Sequence, residues 1–350
     1  MIVGLTHRDF EPEEKRLFSY PDIKGDPVES KHGALTAYLF GAKQANRHLL
    51  VSEASRSIST ARLMRMGSKL VEGGHYIFDA MQRSEFLKRE PAAAVFLVPV
   101  VGSLEFIRGS ARWILALQDA SPSQLKSMPM VLDRVKAVRD YRAASKKAAT
   151  RALAHFPTQF EVTTIPQRPY LVVPKVSSER RDYVPIGWLE PPTLPTDLVQ
   201  IVQDATLFDF AVVTSRAHMA WLAHIGGRLK SDFRYSIGLV YNTFPWPDAT
   251  PAQRDRIEEL AQAVLDARSA HPTSSLADLY DPDTMPANLR KAHRALDASV
   301  DRLYRKAPFE SDRDRVEHLF GLYEKLVNPL SDAARQNRRT ARKRARGKAE

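Results

Sequence analysis

The sequence predicts an α+β protein, with a mixed α/β portion followed by an all-α helical portion. Three observations predict it. Short β-branched runs bounded by Pro and polar residues, such as YLVVPKV (170–176) and VQIVQ (199–203), read as strands. Beyond Pro247 the apolar residues recur at helical spacing instead. The chain is 350 residues long and 43% hydrophobic, enough to bury a sizeable core in more than one domain.

Taken in order, residues 2–5 read as an opening strand, followed by a turn-rich stretch containing Pro12, Pro21, Gly25 and Pro27. Ser84 is placed to cap a short helix running through Arg89 and stopped by Pro91. Residues 95–101 read as a strand, and 103–107 with 112–117 as a hairpin turning at Gly109-Ser110. A long helix is expected over 122–154, with Val131, Val135, Val138 and Tyr141 near helical spacing. Its 134–151 stretch carries seven cations (Arg134, Lys136, Arg139, Arg142, Lys146, Lys147, Arg151), against two acids in the helix, Asp133 and Asp140.

Strands are expected again at 170–176, 183–187, 199–203 and 207–213, then a helix from Ser215 ended by Gly226-Gly227. Thr250, Pro251 and Gln253 make a helix start: an N-cap, Pro at the first position and a capping-box partner. Two more helices follow Met285-Pro286 and Ser311, and these three carry apolar stripes that face a core. Tyr241, Phe244 and Trp246, flanked by Pro245 and Pro247, resemble a base-stacking platform but read better as a buried joint.

Composition narrows the function. The absence of Cys excludes disulfides and thiolate metal sites, and suits a cytoplasmic protein. The longest apolar run, 92–101, contains Pro99 and is too short to span a bilayer, so no membrane partner is expected. The formal net charge is +11, of which residues 335–350 supply +7. A basic excess favours polyanions through counterion release, but the body is only mildly basic, and a solubilising tail with no specific partner is the competing reading.

Signatures of catalysis are missing. There is no phosphate-binding G-x-x-x-x-G-K-[ST], no G-x-G-x-x-G, no H-E-x-x-H and no G-x-S-x-G. Gly73-Gly74 and Gly226-Gly227 are isolated pairs. His218 and His224 are six apart, off the spacing of a metal pair on one helix face. The string nearest to an [N/D]-P-P-[Y/F] methyltransferase site is Asn328-Pro329-Leu330, which lacks the second Pro and the aromatic.

The segment RLKSDFRYSIGLVYNTFPWP (228–247) resembles MmeI-like DNA methyltransferases, the fused type IIG/IIL restriction–modification enzymes. So do RWILALQDASPSQL (112–125), VRDYRAASKKAATR (138–151), YLVVPKVSSERRDYVPIG (170–187), HMAWL (218–222), LADLYDPDTMPANLRKAHRALDASVDRLYR (276–305) and VEHLFGLYEKL (316–326). The similarity covers about 75–330 and is poor through 30–70. It implies a remnant strand of a Rossmann-like methyltransferase sheet and a linker over 1–30. A DNA-binding target-recognition domain over 31–247, a helical C-terminal domain over 248–330 and a disordered basic tail over 331–350 follow. The complete enzyme would use S-adenosyl-L-methionine to methylate adenine at N6. Its donor-binding loop and catalytic motif would precede Met1, so no cofactor and no catalytic residue are expected in this chain, and it is expected to be inactive alone.

The expected partner is double-stranded DNA. Phosphate contacts need Lys, Arg or small polar donors, and base reading needs side chains that reach groove edges. Lys175, Ser177, Ser178, Arg180 and Arg181 supply both in one loop, Arg228, Lys230 and Arg234 form a second group, and Arg142, Lys146 and Lys147 a third. For each, a solvated or salt-bridged surface charge is the competing reading. Three functions stay open: a recognition subunit working with a separate methyltransferase subunit, an inactive truncated remnant, or a structural or nucleic-acid-binding protein acting through its basic tail.

Overall fold

The computed structural model describes residues 12–20, 25–39 and 50–328. Residues 54–309 form one compact unit, and the described parts of Met1–Glu53 and Glu310–Glu350 form another. The strand expected over 2–5 and the tail 331–350 lie outside the described residues. In the smaller unit β1 (Lys15–Ser19) and β2 (Val28–His32) pair antiparallel, with Leu17 opposite Ser30.

The larger unit opens with β3 (Met64–Met66) and β4 (Ile77–Phe78). Helix α1 (Ala80–Arg89) begins a turn earlier than Ser84, because Asp79 and Gln82 form a reciprocal capping box. β5 (Leu97–Val101) is the expected strand. The expected hairpin after it is not formed: residues 103–107 are α2 (Ser103–Arg108). Glu105 reaches back to the Gly102 N–H, and Gly109 at φ 68° ends the helix in the left-handed region that glycine tolerates. β6 (Trp113–Leu115) then pairs with β5 across that helix.

The single helix expected over 122–154 is three: α3 (Pro122–Lys126), α4 (Pro129–Ala143) and α5 (Ala148–Ala152). Pro129 has no N–H and takes the first position of α4, whose free N–H groups at Met130 and Val131 donate to the buried Glu90 carboxylate. At the other end the chain turns back because the Arg142 guanidinium gathers the carbonyls of Leu153, Phe156 and Gln159. Val131, Val135 and Val138 pack with Phe78, Phe86, Ile114 and Leu115 in the core of this layer.

Next come β7 (Tyr170–Pro174), β8 (Val176–Ser177), β9 (Gly187–Leu189), β10 (Leu194–Pro195) and β11 (Val199–Gln203). Residues 183–187 are not the expected strand. Tyr183, Val184 and Ile186 are buried, but pairing with β7 starts only at Gly187. Two sheets result, in the orders β10-β5-β6-β4 and β3-β11-β7-β9. Tyr170 to Pro174 are all buried, as a central strand covered on both faces must be.

Residues 207–213, expected as a strand, are α6 (Leu207–Thr214). A buried run this apolar has no amphipathic period, and the Thr206–Asp209 capping box decides in favour of helix. Then follow α7 (Arg216–Ile225), capped by Ser215, β12 (Gly227–Leu229) and β13 (Asp232–Arg234). A π-helical turn follows at Ile237–Tyr241.

α8 (Pro251–Ser269) starts on the Thr250 cap as expected, and α9 (Leu276–Leu279), α10 (Ala287–Tyr304) and α11 (Asp312–Val327) complete the chain. α8 packs on α6 and α10, and α10 on α7, so both belong to the larger unit. α11 belongs to the smaller unit, where Phe320 meets the Tyr38 ring at 4.9 Å and Tyr323 accepts from the Ser52 N–H. The overall class is α+β, as the sequence predicts.

Candidate nucleic-acid interface

The geometry of interest is a third sheet, ordered β12-β13-β8. Its register sets Phe233 opposite both Arg228 and Ser177, and Arg234 opposite both Gly227 and Val176. Two basic segments some fifty residues apart in sequence, 175–181 and 228–234, are thereby joined as neighbouring strands and loops. Cross-strand partners share a face. Arg228, Phe233 and Ser177 therefore lie on one side, and Arg234 with Val176 on the other.

On the first face, Phe233 is buried and Arg228 lies over its ring at 4.1 Å. The Arg228 guanidinium donates to the Ser231 and Ala223 carbonyls, which fixes it along the hairpin. Ser177 is only 3% exposed, so its expected role as a DNA contact is corrected. The alternation of the strand turns that side chain inward beside Phe233.

On the outer side Arg234 is exposed. Lys230 is exposed at the hairpin tip, with φ at 58°. Glycine holds that region at no steric cost, whereas a side chain there costs on the order of 1 kcal/mol or more. A lysine kept there places an ammonium group at the tip of the ribbon. Neither Lys230 nor Arg234 makes an ion pair among the described residues.

The 175–181 segment is more constrained. Lys175 donates to the Asp197 carbonyl at 3.3 Å. The half-buried Ser178 accepts from the Arg180 N–H and shapes the turn. Arg180 is exposed and paired with Asp283. Arg181 is half-buried; burial lowers its pKa, opposed by the nearby Asp281 and Asp232.

The third group divides. Arg142 is fully buried on α4 and donates to five carbonyls, of Leu70, Val71, Leu153, Phe156 and Gln159, at 2.8–3.3 Å. A guanidinium so enclosed cannot reach a phosphate, and its expected DNA contact is corrected to a structural role. Lys146 and Lys147 are exposed at the bend between α4 and α5, on different elements from the three-stranded sheet.

Beneath the sheet, His218 and Tyr235 are buried and share a 2.7 Å hydrogen bond. Burial pushes the His218 pKa down to about 3, so the ring is neutral and structural. Tyr241 and Phe244 are fully buried and Trp246 half-buried, the joint expected rather than a stacking platform. Among the described residues no group of three or more His, Asp or Glu side chains is arranged to hold a metal ion.

The glycine pairs do not fit a methyl donor. Gly73 packs against the Tyr141 ring in a tight turn, and Gly226 closes α7. Neither follows a strand and opens a helix, as a donor cradle requires.

Residues missed by sequence reasoning hold the loop from behind. Tyr183 donates to the Asp297 carboxylate at 2.6 Å, and the Arg216 N–H donates to its other oxygen at 2.7 Å. The partners lie 114 and 81 residues apart in sequence, so no local pattern announces them. Burial pushes the Asp297 pKa up to about 6, opposed by these two hydrogen bonds and reinforced by Asp301.

A raised carboxyl pKa makes the folded chain hold a proton that the unfolded chain has released between about pH 4 and 6. That contribution to stability is complete below this window and lost as pH rises through it. Asp297→Asn removes it, so the variant gains on the wild type as pH rises from 4 to 7. The gain is on the order of 3 kcal/mol, read from urea unfolding at each pH. An offset that stays constant over that range contradicts the assignment.

Residues 45–248 match the family model of the MmeI target recognition domain, and residues 249–331 that of the MmeI C-terminal domain. The chain belongs to this family. DNA methyltransferase A of Bacillus subtilis (strain 168) is 36% identical over 280 residues, covering 80% of this chain and 32% of that protein. The solved structure of the type IIL restriction–modification enzyme MmeI in complex with DNA matches with a TM-score of 0.86 at 35% identity, over 91% of this chain and 42% of that one. The chain thus spans 32% and 42% of the length of these two relatives. Its β12-β13-β8 sheet lies wholly within the residues matched to the family's target recognition domain.

Proposed function

We propose that this chain is the DNA-recognition part of a site-specific DNA methyltransferase of restriction–modification type. The reaction is methylation of adenine at N6. The observation that carries the recognition role is the three-stranded sheet that unites 175–181 with 228–234 inside the family's target recognition region. The methyl donor, S-adenosyl-L-methionine, and the catalytic side chains are supplied by a methyltransferase domain, in this polypeptide or in a separate subunit.

The geometry suits a duplex. A two-stranded antiparallel ribbon fits the major groove of B-DNA, which is about 12 Å wide. The β12–β13 hairpin is such a ribbon, with Lys230 at its tip and Arg234 on its outer face. The 178–181 loop lies at the adjoining strand, so Arg180 and Arg181 can address bases or phosphates beside it. Lys146 and Lys147 add a second cationic surface for the DNA backbone.

The experiment is titration of the chain against a labelled duplex oligonucleotide at low and at physiological salt, with and without residues 331–350. Binding is expected to tighten as salt falls and to persist after the tail is removed, with a dissociation constant on the order of micromolar to 100 micromolar for non-cognate duplex at physiological salt. Binding abolished by deleting the tail would place the interaction there and refute the proposal.

A further inference from the structure

We infer that the helices after residue 248 position the recognition loop 178–182, with Arg290 and Asp297 as the positioning residues. The importance of the loop rests on the proposed function; its anchoring does not. The loop leaves β8 where Ser177 pairs with Phe233, and the Glu179 N–H donates to Asp232 at 3.4 Å. Beyond the bonds within the loop itself, its side-chain partners among the described residues lie on α7 and in the α9–α10 region.

Asp182 is held between two guanidinium groups. Arg216, at the first turn of α7, donates to its carbonyl at 3.2 Å and to one carboxylate oxygen at 3.4 Å. Arg290 of α10 donates to the other carboxylate oxygen at 3.5 Å and to the Pro282 carbonyl at 3.1 Å. Asp283 pairs with Arg180. Tyr183, which closes the loop, is stacked on His293 at 4.0 Å and bonded to Asp297. Asp297 also bonds the Arg216 N–H, so one carboxylate ties the loop, α7 and α10 together.

The two family regions, 45–248 and 249–331, are therefore one working part at this point. Moving the first onto a foreign second region would free Arg180, Asp182 and Tyr183 even though every cation of the sheet was kept.

The test uses the full chain without DNA, digested with trypsin under native conditions, with cleavage after Arg180 and Arg181 followed by mass spectrometry. Arg290 and Asp182 are partly exposed, so Arg290→Gln should leave the fold intact. It is expected to speed cleavage in the loop roughly three- to five-fold with the urea midpoint unchanged, the effect of losing one partly exposed pair. Arg290→Lys is expected to restore most of the protection, and Asp297→Asn to exceed Arg290→Gln. Unchanged cleavage in both Arg290→Gln and Asp297→Asn overturns the inference, as does acceleration that merely follows a fall in global stability. Because no DNA is present, the readout decides the positioning whatever duplex binding shows of the proposed function.

Discussion

Replacing Arg142 with methionine is expected to cost about 3–5 kcal/mol of stability in the larger unit, the scale seen when a buried charged hub is removed and its partners are left behind. The guanidinium is fully buried and, among the described residues, its hydrogen-bond partners are five main-chain carbonyls rather than a carboxylate. Methionine fills much of the volume but donates nothing, so those carbonyls lose their partner away from water. Two of them belong to a strained turn. Val71 sits at φ 48°, a region a β-branched residue rarely adopts, and the neighbouring buried Glu72 accepts from the Gly74 and Tyr76 N–H groups. Arg142 holds that turn against the end of α4 and the 153–159 segment. Arg142→Lys keeps the charge but offers three donors from a single nitrogen, and should recover only part of the loss. Urea unfolding of the three proteins measures this, and a loss below about 1 kcal/mol for the methionine variant would remove the hub from the account.

The second large effect is on DNA. Neutralising Arg180, Lys230 and Arg234 together is expected to weaken duplex binding roughly a hundred-fold at moderate salt. The slope of log affinity against log salt should fall by about 0.9 for each phosphate the protein no longer neutralises. The same triple substitution should leave unfolding nearly untouched, because all three side chains are exposed. Arg180 is the informative member. Its pairing with Asp283 is exposed and so contributes little to stability, while a phosphate or a guanine edge competes for the same guanidinium. Lys146→Ala with Lys147→Ala should lower the salt slope without altering sequence preference, as backbone contacts do.

Much of this was legible in the residues, and the exceptions have physical causes. The Thr250 and Ser215 caps mark α8 and α7 because capping chemistry is local. The strand at 199–203 was equally plain. The stretches 103–107 and 207–213 misled because short apolar runs carry no period, and the deciding groups were single side chains, Glu105 and Asp209, reaching back one turn. For the candidate site, the sequence supplied the two basic segments but not their union, since Phe233 meets Ser177 only through long-range pairing. Arg142 was misplaced for a related reason. A cation on a basic helix looks like its exposed neighbours until the carbonyls that bury it, 11 to 72 residues away, are in place. Ser177 turned inward by the alternation of a strand that only β13 defines.

The most direct test of the central claim is amide hydrogen exchange of the full chain with and without saturating duplex DNA at low salt. New protection is expected at 176–181 and 227–235, together, with lesser effects near 146–147. Protection confined to the tail, or to α4 and α5 with none on the β12–β13 ribbon, would contradict that claim.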